Sequence, residues 1–165
     1  MPNQKKHSEL LNILNKVRNR IKNSDVIKDM CEEHGVGVDY LDLVPMGFAD
    51  LEVSARTDKG CIYFNYKLLD DGFENDDHYM VHELKHHFQQ CHGDGPTEGS
   101  SDGNYLDNEF EQEGFQAQTE YIDETRGSDA ADKYVNQVLD YHDVPQVERK
   151  DRKDKLLRIA SNFIK

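Results

Sequence analysis

The chain has 165 residues, with 20 Lys plus Arg against 33 Asp plus Glu and a formal charge of −13, a length suited to a single domain spanning residues 1–165. Hydrophobic residues make up 36 % and charged residues 32 %, with no Trp, so a modest core under a polar surface is available. No apolar run approaches the roughly 20 residues of a membrane span. The start, Met1-Pro2-Asn3-Gln4-Lys5-Lys6, leads into no apolar signal segment, and the expectation is a soluble, non-secreted, cytoplasmic protein that engages no membrane.

Three cysteines, Cys31, Cys61 and Cys91, with no C-x-x-C pair, argue against a disulfide framework or a cysteine-built zinc site and for reduced thiols. Residues 1–22 hold six bases and one acid, residues 148–165 seven bases and three acids, and the remainder 7 bases and 29 acids. Such a body repels polyanions, so nucleic acid is not expected as a partner.

Ser8 is a plausible N-cap for a helix carrying Leu10, Leu11, Leu14, Val17 and Ile21 at helical spacing, and Gly35 and Gly37 close the helical region that follows. Leu51, Val53 and Ala55 then alternate with polar residues, Asp58-Lys59-Gly60 reads as a turn, and Cys61–Tyr66 is rich in strand formers. This pattern predicts a small antiparallel sheet ending in a hairpin. Asn75 or Asp76 caps a helix predicted over about residues 77–91. A Gly/Ser/Asp/Pro loop from Gly93 to Gly103 follows, then helices near residues 105–124, 129–141 and 145–164. The order is α+β: an N-terminal helix, a small sheet, then helices.

The predicted helix at 77–91 contains His82-Glu83-Leu84-Lys85-His86, an H-E-x-x-H motif. Residues four apart project from one helix face, so two imidazoles can bind one zinc ion while the intervening glutamate reaches water beside it. At ~100° per residue, His86 lies about 40° and Glu83 about 100° from His82, whereas Met80, Leu84, Phe88 and Cys91 gather at roughly 160–240°. The helix is therefore expected to pack an apolar back on the core and to turn a His/Glu front away from it. The competing explanation is a surface helix with incidental histidines.

A third ligand is needed. His92 would complete H-E-x-x-H-x-x-G-x-x-H, but Gln89 occupies the glycine position and no methionine follows the motif, which argues against a metzincin-type site. In the next helix Leu106, Phe110, Ala117 and Tyr121 form a stripe that includes Glu113. A carboxylate on a buried face calls for a metal or a cationic partner. Glu113 is thus favoured over Glu109, which lies on the polar side with Gln112 and Gln116; a buried salt bridge is the non-metal alternative for Glu113. Tyr105, His78, His87 and Tyr121 are candidate oxyanion donors, each with packing or surface roles as the simpler explanation.

The runs Ile62-Tyr63-Phe64-Asn65, His82-Glu83-Leu84-Lys85-His86-His87 and Glu111-Gln112-Glu113-Gly114-Phe115-Gln116-Ala117 resemble the compact, gluzincin-like zincin metallopeptidases, particularly the ImmA/IrrE-type peptidases. The resemblance covers about residues 60–122. It implies a zincin-like fold, Zn²⁺ held by His82, His86 and Glu113, Glu83 as catalytic base, and an extended peptide paired to the edge of the strand before the active-site helix. The expected activity is hydrolysis of peptide bonds in a protein or peptide substrate, by Glu-assisted attack of zinc-bound water. The alternatives are a catalytically inactive zincin-fold binding or assembly protein, against which the intact Glu83 argues, and a non-proteolytic zinc hydrolase using the same ligands.

Overall fold

A computed structural model describes residues 7–70, 72–92 and 109–141, which divide between two units, one within residues 1–96 and the other within residues 97–165. The first unit begins with α1 (His7–Ile21) and α2 (Asp25–Glu33). Leu14, Val17 and Ile21 are buried at spacings of three and four, while Leu11, on the next position round, is exposed. Ser24 caps α2, its hydroxyl accepting from the Val26 and Ile27 amides at 3.1 and 3.4 Å. Arg18 is buried on α1, donating to the Leu41 carbonyl at 3.0 Å. Burial lowers the pKa of its guanidinium and the Asp42 charge works the other way.

Three strands follow: β1 (Met46–Ala49), β2 (Ala55–Asp58) and β3 (Cys61–Asn65). Their order is β1-β3-β2. The predicted hairpin forms between β2 and β3, with Asp58 opposite Cys61. Its two central residues, Lys59 and Gly60, have φ of 52° and 81°, the left-handed conformation that a two-residue hairpin turn requires. The sheet is mixed rather than antiparallel, because β1 runs parallel to β3 with Met46 opposite Ile62.

The expected strand character of Leu51 and Val53 is absent, for a specific reason. Asn65, buried at the end of β3, donates through Nδ2 to the carbonyls of Leu51 and Val53 at 2.8 and 3.1 Å. The same residue's amide donates to the Ser54 carbonyl at 2.9 Å. These bonds hold 51–54 as a loop in which the Leu51 and Val53 carbonyls are satisfied by a side chain instead of a neighbouring strand. Phe64 and Phe48 meet Phe73 edge-on at 4.9 and 5.2 Å between ring centroids, placing an aromatic cluster between the sheet and the 3₁₀ turn Phe73–Asp76. The turn leads into α3 (His78–His92).

In the second unit, α4 (Glu109–Arg126) and α5 (Ser128–Tyr141) form a helical hairpin. Gly127, with φ of 94°, makes the joint, and its amide donates to the Asp123 carbonyl at 3.0 Å. Phe115, Val135, Val138 and Leu139 bury one another, with Tyr134 against them. The general α+β class is as expected from the sequence. Among the described residues no helix is long and apolar enough to cross a membrane. The predicted loop at 93–103 and helix at 145–164 lie outside the described residues.

Candidate metal centre

The α3 helix positions the motif, but not with a solvent-facing front. His82, Glu83, His86, His87 and Gln89 are all buried, as are Met80, Val81, Leu84 and Phe88, while Cys91, expected in the core, is exposed. Burial on both sides forces every polar group of this helix to find a partner. The partners sort into two stripes, each with the i, i+4, i+7 spacing of one helix face.

The first stripe is His82, His86 and Gln89. The Nε2 atoms of the two histidines are 3.1 Å apart. Two imidazole nitrogens bound to one tetrahedral zinc ion at 2.0–2.1 Å stand about 3.3–3.4 Å apart, so the pair already converges on one point to within a few tenths of an ångström. Gln89 fixes which nitrogen does so. The His86 Nδ1–H donates to Gln89 Oε1 at 2.7 Å, which leaves Nε2 of that ring with its lone pair.

The second stripe is Glu83, His87 and Gln90, and it faces the β2–β3 hairpin. Thr57 Oγ1 lies 2.8 Å from Glu83 Oε1 and 3.1 Å from the Glu83 carbonyl oxygen. His87 Nδ1–H donates to the Gly60 carbonyl at 2.8 Å, and its Nε2 accepts from the Tyr40 hydroxyl at 2.8 Å. Burial raises the Tyr40 pKa first, and the Cys91 and Cys31 thiols raise it further, so the phenol stays a neutral donor. Gln90 accepts from the Gly60 amide at 2.8 Å and donates to the Thr57 carbonyl at 3.0 Å. Both His87 nitrogens are thereby engaged, which removes it from the candidate oxyanion donors. His78 and Tyr121 are buried, and Tyr105 lies outside the described residues.

On α4 the buried positions include Glu111, Phe115, Gln118 and Ile122, a stripe at spacings of four, three and four. At ~100° per residue Glu113 lies roughly 200° round from Glu111, and it is half-buried. His82, His86 and Glu111, all three buried, are a group that could hold a metal ion. The carboxylate of this group is Glu111, where the sequence pointed to Glu113. The side chains of Glu109 and His92 lie outside the described residues. Sequence reasoning followed the apolar stripe through Phe110, Ala117 and Tyr121, whereas Phe115 and Ile122, four and eleven residues after Glu111, carry the signal that would have found it.

The donor set fits zinc: two neutral imidazoles and one carboxylate are a common protein complement of a catalytic zinc ion, with a further position left for water or substrate. The strand before α3 is not an edge. β3 is paired on both sides, so it has no free ladder for a peptide, and among the described strands the edges are β1 and β2. No protein-family profile, curated protein or solved structure matches this chain.

Proposed function

We propose that this protein is a zinc-dependent metallopeptidase in which His82, His86 and Glu111 hold the metal and Glu83 is the general base. The observation that carries this is the buried His/His/Glu group with a second carboxylate one residue after the first histidine, the position from which it reaches a water at the same centre. A zinc ion there would act as a Lewis acid on a carbonyl and bring water's pKa toward neutrality. Glu83 takes the proton as water attacks the peptide carbon, then delivers it to the amine that leaves when the C–N bond breaks. Gln89 keeps the His86 lone pair directed outward throughout. The peptide substrate follows from the family resemblance, and the β2 edge, beside Glu83 through Thr57, is where an extended chain would add to the sheet.

The test is zinc stoichiometry together with cleavage of a mixed unfolded-protein substrate. Wild type should bind one zinc and cleave. Glu83→Gln should keep zinc and lose about 10²–10⁴-fold in rate, Glu111→Ala should lose zinc, and Glu113→Ala should retain both. Zinc without cleavage would make the protein a metal-holding binding or assembly module, and absence of zinc would overturn the metal centre itself.

A further inference from the structure

We propose that Thr57 is the positioning residue for Glu83, an assignment that rests on the metallopeptidase function above. Glu83 is buried, and the short contact to its carboxylate comes from Thr57 Oγ1, at 2.8 Å from Oε1. A threonine hydroxyl carries one proton. The carboxylate oxygen and the Glu83 carbonyl, at 2.8 and 3.1 Å, both only accept, so among the described residues both acceptors of that single proton belong to Glu83. The charged, nearer oxygen takes the stronger share.

Three features make this a positioning device. The hydroxyl engages Oε1 and leaves Oε2 to receive a proton, fixing the carboxylate's rotation about its last bond. Its lever is rigid: Thr57 is a strand residue opposite Ile62, and its carbonyl is held by Gln90 at 3.0 Å. The adjoining turn is tied to the same helix through Gly60, whose amide meets Gln90 and whose carbonyl meets His87, both at 2.8 Å. The hairpin thus grips α3 at positions 83, 87 and 90, and the base is aimed by a strand rather than left to its own χ angles.

The experiment compares wild type with Thr57→Val, which keeps the shape and removes the hydroxyl, and Thr57→Ser, which restores it, following zinc affinity, steady-state cleavage and the ¹³C carboxyl shift of Glu83 in metal-free protein, assigned with Glu83→Gln. Thr57→Val should bind zinc within about twofold of wild type and lose about 10- to 100-fold in kcat with little change in KM. Thr57→Ser should recover most of the rate, and on a Glu83→Gln background Thr57→Val should cost nothing more. Thr57→Ala carries the same comparison where valine is not accommodated. Undiminished kcat in Thr57→Val and Thr57→Ala, or a loss that Thr57→Ser does not recover, overturns the assignment. Should wild type bind zinc and cleave nothing, the peptidase function fails separately. The carboxyl shift then decides for Thr57: moved in Thr57→Val and restored in Thr57→Ser upholds the contact, and unmoved overturns it.

Discussion

Replacing Gln89 with leucine isolates the support of one proposed metal ligand, His86. The bond from His86 Nδ1–H to Gln89 Oε1 is 2.7 Å long and joins side chains that are 5 % and 6 % exposed, so water does not readily replace the lost acceptor. A buried donor left without its partner costs about 1–3 kcal/mol. Part of that cost is avoided if the proton moves to Nε2, but that tautomer blocks the nitrogen facing His82. Zinc must then displace it, and the cost reappears as lost affinity. The two routes give the same scale, since supports of this kind are worth about 10–100-fold in metal affinity, or roughly 1.4–2.7 kcal/mol. Zinc affinity measured by competition with a chromophoric chelator should therefore fall about 10- to 100-fold in Gln89→Leu. Gln89→Glu, which keeps the acceptor and adds negative charge, should bind at least as tightly as wild type. Gln89→Leu binding zinc as tightly as wild type would refute the role given to this side chain.

Gly60→Ala should destabilise the first unit by about 1–3 kcal/mol in thermal or urea unfolding: φ is +81° and an added Cβ would stand 2.6 Å from the Cys91 sulfur. Adding Cys91→Ala should recover the steric part and leave the backbone part. Leu84→Ala, at a fully buried position of α3, should cost about 2–5 kcal/mol and lower the melting temperature with or without zinc. Glu74 has its pKa lowered from 4.5, chiefly by the Lys16 hydrogen bond, with Arg20 adding to it. A depressed carboxylate contributes stability that is present above its unfolded pKa and lost as pH falls through the folded one. Glu74→Gln should accordingly be less stable than wild type near neutrality, with the two unfolding curves converging on acidification below about pH 4.

Local features of this fold were legible from sequence and non-local ones were not. Asp58-Lys59-Gly60 announces its hairpin because the turn's φ requirements are met by two consecutive residues, and α3 declares itself through a repeating face. β1 is four residues long and includes Gly47, too short to show a period, and its parallel partner β3 begins 15 residues after β1 does. The loop at 51–54 looked like a strand because alternation is blind to Asn65, whose amide group supplies hydrogen bonds from more than ten residues away. Glu111 was passed over because Gln118, a polar residue with no exposed surface, interrupts the apolar stripe that Phe115 and Ile122 would otherwise have shared with it.

Gln118 and Gln89 are instructive together, since both are buried amides that a hydropathy reading assigns to the surface. At Gln89 the reason is visible. In the proposed function the H-E-x-x-H spacing supplies two ligands and a base, yet a buried imidazole needs its second nitrogen satisfied, and one further helical step on the histidine face, at i+7 from His82, is the position that reaches it. Glu83 imposes the same demand on its own face, where i+4 and i+7 are His87 and Gln90, and there the demand is met by tying the helix to a hairpin. One helix therefore carries a proposed ligand stripe and an anchoring stripe about 100° apart. Substitutions at 89 should act through the metal and those at 90 through the hairpin, although the two residues are adjacent in the chain. Gln90→Leu should leave zinc affinity near wild type while loosening the turn that carries Thr57, with faster amide exchange at Gly60 as the measurable sign. A Gln90→Leu protein that lost zinc as readily as Gln89→Leu would show that the two stripes are not separable.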